Sequence, residues 1–272
     1  MLKSINVCTY PETVPLADVF AGIKAAGFRY AELNMFSSRQ TYPNLWLGAD
    51  DSEIIAVREL ASEYGITPVG LVSAELWSKR LTDNDPDVRA AGIEVIRRMI
   101  HACTLLGADT VLVVPGTVNE NTSYRQAYEN SVGCMRILAP EAKANGVVLA
   151  VENVWNRFLL SPLEMRRFIE ECGEGTGAYF DAGNIERDGY QTDWIEILSD
   201  RIRRVHVKGF DKNTGKFCDL REGTVDWKKT FAALRNVGYE GPVSTELWAP
   251  EGESPDEAVK RYSADMDYIM NL

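Results

Sequence analysis

Eight short runs rich in β-branched and aromatic residues punctuate the 272-residue chain. They alternate with longer stretches that have the spacing of amphipathic helices. The runs fall at 4–8 (SINVC), 28–33 (FRYAEL), 66–72 (ITPVGLV), 109–114 (DTVLVV), 147–152 (VVLAVE), 177–181 (GAYFD), 203–208 (RRVHVK) and 242–247 (PVSTEL). Helical patterns between them include LADVFAGIKAAG, DSEIIAVRELASEYG, DVRAAGIEVIRRMIHACTLLG, YRQAYENSVGCMRILAPEAKANG, SPLEMRRFIEECG, WKKTFAALRNVG and DEAVKRYSADMDYIM. Gly27, Gly65, Gly107, Gly146 and Gly238 stand where left-handed helix caps are needed. Ser161-Pro162 and Ser254-Pro255 place a capping hydroxyl ahead of a proline at the first helical position. Strand and helix in strict alternation, with no linker or compositional break, predict a parallel sheet joined by crossover helices. Eight such units close a (β/α)8 TIM barrel, whose usual length is about 250 residues. The rival, an open doubly wound sheet, carries a Gly-rich loop after its first strand; CTYPETVPL offers none. The expectation is one α/β domain over residues 1–272, a single (β/α)8 barrel.

Charge and cysteine usage narrow the partners. A net charge of −11 without a long basic block argues against nucleic acid, which needs clustered Lys and Arg. Cys8, Cys103, Cys134, Cys172 and Cys218 are scattered and odd in number, with no CxxC pair, so they read as reduced thiols of a cytoplasmic protein. The start, MLKSINVCTY, lacks the apolar core of a signal peptide, and no run reaches the ~18 apolar residues of a membrane span. A cytoplasmic protein with neither membrane nor nucleic-acid partner is expected.

Only two histidines occur in the chain. His101 lies in the helical run IRRMIHACTLLG and reads as structural. His206 lies in RRVHVKGF, where alternation sets Val205 and Val207 on one face and His206 and Lys208 on the other. The neighbouring strand ends repeat the pattern: AVENV ends on Glu152, YFDAGN on Asp181 and STELW on Glu246. In a barrel these C-terminal ends meet at one mouth, where active sites form. All four side chains are expected to point inward, above small or apolar residues such as Ala150 and Ser244. One acidic residue at a strand end is ordinarily a solvated or capped group. Three carboxylates in one low-dielectric space repel one another unless protonated or bridged by a cation. With one imidazole they form an oxygen-rich ligand set suited to Mn²⁺, Mg²⁺, Co²⁺ or another divalent ion such as Zn²⁺. Glu152, Asp181, His206 and Glu246 are therefore the candidate metal ligands.

Over most of its length the chain resembles the xylose-isomerase-like barrels, which include ketose and ketose-phosphate 3-epimerases and hydroxypyruvate isomerases. The segments VENVWNRFLLSP, YFDAGN, VHVKGF and LREGTVDWKKTFAALRNVGYEGPVSTELW carry the likeness. The last is most similar to L-ribulose-5-phosphate (L-xylulose-5-phosphate) 3-epimerases and hexulose-6-phosphate isomerase-like proteins. The resemblance implies that Glu152, Asp181, His206 and Glu246 hold one metal ion, usually Mn²⁺. It also implies that the two glutamates act as acid and base and that the protein is a homo-oligomer, a dimer or tetramer. Three positions depart from the pattern: Asn184 replaces a His, Gly209 an Asp and Leu159 a Glu.

The chemistry implied is proton removal from carbon beside a carbonyl. A divalent ion stabilises the resulting enediolate as a Lewis acid, and carboxylates on the two faces take and return the proton. Glu152 and Glu246 are the candidates for those faces, with a small sugar or sugar phosphate as substrate. Substrate contacts are expected from Glu32 at the end of the second strand, Lys208, Trp155 and Asn184, with Trp77 and Trp248 walling the mouth. Arg221, with Lys212 and Lys216 in the long loop expected after the seventh strand, is the candidate phosphate contact. Aldose–ketose isomerisation, or a metal-dependent lyase acting on a 3-oxo sugar, would use the same four ligands. A zinc endonuclease needs more histidines and a basic groove. A non-catalytic sugar-binding barrel has no need of four competent ligands.

Overall fold

The computed structural model describes residues 1–272. Eight parallel strands close into a barrel: β1 (Leu2–Asn6), β2 (Tyr30–Asn34), β3 (Thr67–Val72), β4 (Thr110–Val113), β5 (Val148–Glu152), β6 (Thr176–Asp181), β7 (Ile202–Val207) and, as the eighth stave, Pro242–Thr245. Around it run α1 (Leu16–Ala25), α2 (Asp51–Glu63), α3 (Pro86–Leu106), α4 (Tyr124–Ala144), α5 (Pro162–Cys172), α6 (Ala182–Glu186) and α7 (Gln191–Leu198). After β7 the chain forms a hairpin, β8 (Gly209–Asp211) and β9 (Lys216–Cys218). It continues through α8 (Trp227–Asn236), the eighth stave, labelled β10, and α9 (Pro255–Met270). β10 pairs with β1 on one side and β7 on the other, and so closes the ring.

The local signals work as their chemistry requires. All five glycines expected at helix ends have positive φ, from 68° to 89°. Ser161 and Ser254 accept the backbone N–H groups of Glu164 and Glu257, and at Ser254 the Glu257 carboxylate reciprocates in a capping box; each such cap is worth about 1 kcal/mol. No helix is long and apolar enough to cross a membrane, and all five cysteines are free thiols.

Period-two alternation gives the barrel two kinds of packing. Outward residues such as Ile5, Ala31, Val111, Val151, Phe180 and Val205 join the core between staves and helices. Inside, a small cluster of Leu112, Val114, Ala150 and Tyr179 fills the barrel. Above and beside it lies a polar layer.

Two expectations shift. The first two strands lie at 2–6 and 30–34 rather than 4–8 and 28–33, and Val7–Thr9 form a 3-10 turn capped by Asn6. The segment after β7 was expected to be a long loop and contains the β8–β9 hairpin, closed by Gly215 N–H donating to Asp211 O at 2.7 Å. Gly209 explains its own departure from the family pattern. A side chain there would run into the Asp219 carbonyl of the returning chain, so the Asp of other members cannot be accommodated. Gly209→Ala is expected to break the β8–β9 pairing and free Phe217 from the cavity wall. Loss of amide-exchange protection over residues 209–218, with the rest of the barrel unchanged, is the readout; full protection would refute it.

Candidate metal centre and cavity

Parallel register builds the centre from backbone alone. Asp181 on β6 lies level with His206 on β7, and His206 lies level with Ser244, two residues before Glu246. Glu152, on the next stave round, pairs with Tyr179. Glu152, Asp181, His206 and Glu246 each offer a ligand atom, and these atoms lie within 4.8 Å of one another. His206 Nδ1 is 3.0 Å from Glu152 Oε1, 3.5 Å from Glu246 Oε2 and 3.9 Å from Asp181 Oδ2. The opposite nitrogen, Nε2, donates to Glu32 Oε2 at 2.7 Å. Glu32 in turn accepts from Asn6 Nδ2 at 2.5 Å and from the Tyr179 hydroxyl, and the Tyr179 ring packs 4.3 Å from the imidazole. A carboxylate behind a histidine fixes ring orientation and leaves the other nitrogen to face a cation.

The charges in this cluster strongly perturb one another's proton affinity. Burial pushes the Glu152 carboxyl up to about 7, more than its hydrogen bond to His206 lowers it. Burial also raises Asp181, against the pull of Lys208. Burial pushes Glu246 up too, yet Lys208 and then His206 outweigh it and hold the carboxyl below the usual carboxylate range. His206 is raised well above an ordinary imidazole; burial opposes this, and the charges of Glu32 and Glu246 outweigh it. Lys208 Nζ sits 2.7 Å from Asp181 Oδ2 and 2.6 Å from Glu246 Oε2. The contact to Asp181 lacks hydrogen-bond geometry, so Asp181 Oδ2 is buried without a proper donor. Three carboxylates and an imidazole nitrogen whose ligand atoms converge within 4.8 Å, with one lysine at their edge, fit a divalent cation of the oxygen-preferring kind.

Above the ligands opens a cavity of about 490 Å³. Glu152 and Glu246 line it, whereas Asp181 and His206 are fully buried beneath. Of the other residues expected at the site, Lys208, Trp155, Asn184, Trp77 and Trp248 line the cavity. Asn184 donates through Nδ2 to Asn153 O and through its backbone N–H to Asp181 Oδ1, so it braces the Asp181 carboxylate. Leu159, in place of the family's glutamate, is buried in the apolar core.

Two expected contacts lie elsewhere. Glu32 was assigned to a strand end, but β2 runs on to Asn34, which sinks Glu32 a layer deeper, where it braces His206. Arg221 stacks on Tyr268 at 4.2 Å and sits 3.9 Å from Asp265, away from the cavity. Lys212 pairs with Glu186 at 3.2 Å, and Lys216 lies exposed on β9; none of the three basic residues lines the cavity. Histidine His101 forms an exposed pair with Asp51 at 2.8 Å. Asn6 and Tyr179 were missed. Tyr179 shares the face of Asp181 two residues on, a signal present in GAYFD.

Fold and centre define a (β/α)8 barrel with a buried carboxylate–imidazole cluster of metal-binding type at its C-terminal mouth. The chain belongs to the xylose isomerase-like TIM barrel family, whose model matches residues 20–272. Relatives include the L-ribulose 3-epimerase of Methylomonas sp. (strain DH-1), 26% identical over 86% of this chain and 79% of the relative. Another is the L-ribulose-5-phosphate 3-epimerase of Salmonella paratyphi A, 23% identical over 95% of this chain and 93% of the relative. A crystal structure of D-psicose 3-epimerase in the presence of D-fructose superposes with a TM-score of 0.83 at 17% identity, each chain covered fully.

Proposed function

We propose that the protein is a divalent-metal-dependent isomerase that epimerises a ketose or ketose phosphate at C3, with Glu152 and Glu246 exchanging the proton. One observation carries this reading. Of the four ligand side chains, the two glutamates alone reach the cavity wall, while Asp181 and His206 stay fully buried below. Two residues anchor and two both anchor and face the substrate. The relatives named above are 3-epimerases, and the donor set is of the type that holds Mn²⁺ in the resemblance already described.

Glu152, Asp181, His206 and Glu246 would hold the ion, which supplies Lewis acidity toward oxygens of the substrate. The residues do the rest. Epimerisation needs a proton removed from one face of a carbon beside a carbonyl and another delivered to the opposite face. Glu152 at the end of β5 and Glu246 just past the end of β10 approach from different staves, and the substrate carbon would lie between them. Glu32 keeps the imidazole oriented, and Asn184 keeps the Asp181 carboxylate oriented. Lys208 supplies a positive charge at the edge of the cluster, and Trp155 narrows the mouth. The reading also takes the enzyme to be cytoplasmic, in keeping with five unpaired thiols, and, as the resemblance implies, homo-oligomeric.

Incubation of the Mn²⁺-loaded protein with ketoses in D₂O is expected to place deuterium at C3 with inversion. Deuterium at C1 or C2 would mean aldose–ketose isomerisation, and release of an aglycone would mean a lyase. No exchange in any ketose, by a protein that binds the ion, would end the proposal.

A further inference from the structure

The cavity above the glutamates is large for a single sugar. At about 490 Å³ it falls within the range of about 300–1,000 Å³ that serves drug-sized ligands. Its charged lining is Glu12, Glu75, Glu152, Glu246 and Lys208. Lys208 is already committed to Asp181 and Glu246 at the reacting end. Of the cations flanking the wall, Lys79 pairs with Glu75, Arg80 with Asp83 and Arg187 with Asp188, while Arg157 and Lys216 carry no ion pair but lie outside the lining. No arginine lines the cavity. A phosphate brings close to two negative charges and calls for Arg or Lys donors. Here its far end would meet Glu12, and Glu75 already held by Lys79, with no arginine among the lining residues.

What the wall offers instead is aromatic surface. Trp155 is fully used, stacked on Phe217 at 4.8 Å with Arg187 over its ring at 4.2 Å and its Nε1 donating to Asn184 O. Trp77 and Trp248 make no such contacts, yet are 44% and 67% exposed at the rim. Bare indoles around a cavity mark a ligand surface. A pyranose ring lays its C–H face on an indole while its hydroxyls stay in water or meet carboxylate acceptors such as Glu12 and Glu75.

We infer that the substrate carries an uncharged glycosyl ring at the end remote from Glu152 and Glu246, seated on Trp77 and Trp248, and that it is not a sugar phosphate. This rests on the proposed reading of the centre and names the substrate class it takes.

Three probes share one ketohexose and differ at O6 alone: fructose, fructose 6-phosphate and isomaltulose, which bears a glucosyl group there. Calorimetry on the Mn²⁺-loaded protein is expected to show isomaltulose binding about tenfold tighter than fructose or better, a gain typical of two added ring contacts. Fructose 6-phosphate is expected to bind no tighter than fructose. Trp77→Ala and Trp248→Ala are each expected to weaken isomaltulose binding about three- to tenfold. Preference for the phosphate, parity of isomaltulose with fructose, or binding of none of the three overturns the inference. Deuterium exchange on the same probes separates it from the catalytic reading. The expected order of binding without exchange in any probe sinks the epimerase and keeps the subsite; exchange with the phosphate favoured does the reverse.

Discussion

Glu152→Gln and Glu246→Gln are each expected to lower the rate of C3 exchange by about a thousandfold, within the loss of about 10²–10⁴ that follows removal of a positioned acid–base group. Gln keeps the size and the cavity wall and removes the capacity to carry a proton. Each glutamate also belongs to the ligand set, so metal content must be measured beside the rate. Asp181→Asn supplies the contrast, because Asp181 lies wholly below the cavity. It should lose rate only as far as it loses metal, whereas the two glutamate variants should stay inactive even when saturated with Mn²⁺. Near-wild-type exchange in both saturated glutamate variants would remove them from the chemistry.

Glu32→Gln is expected to weaken Mn²⁺ binding about 10- to 100-fold, the usual cost of losing a carboxylate behind a metal-bound histidine. Three donors converge on Glu32, from Asn6, Tyr179 and His206. A carboxylate accepts all three. A carboxamide has one accepting oxygen, and its NH₂ then opposes a donor inside a dry barrel, at a cost of about 1–3 kcal/mol in stability. Titration calorimetry reads the affinity, and the visible spectrum of the Co²⁺-loaded protein reads whether His206 still coordinates. Unchanged affinity with an unchanged spectrum would reduce Glu32 to a packing residue.

Much of this architecture was legible because the signals were local. Alternation in VHVKGF and AVENV places His206 and Glu152 inward whatever the rest of the chain does, and glycine caps mark helix ends through φ alone. The barrel followed from counting units. Errors arose where the deciding interaction was distant. The depth of Glu32 depends on where β2 stops relative to its neighbours, and a shift of a residue or two moves a side chain from the mouth to the interior. Arg221 looked suited to phosphate because basic residues cluster in sequence there; Tyr268 and Asp265, some forty residues further on, take it instead. The β8–β9 hairpin was hidden in GFDKNTGKFC, where the turn is plain but the strands are three residues each. The eight-residue α7 is similarly short and escaped notice.

The division of labour between staves and loops has an evolutionary consequence. Reactive groups ride on or beside strand ends whose spacing is dictated by main-chain pairing, which is indifferent to which apolar residue each stave turns toward the helices. Trp77, Trp155, Phe217 and Trp248 ride on connections that no pairing within the barrel constrains. Selection can therefore retune what enters the mouth by editing connections one at a time, leaving the proton-transfer machinery in place, and descendants can drift far apart in sequence while their backbones stay superposable.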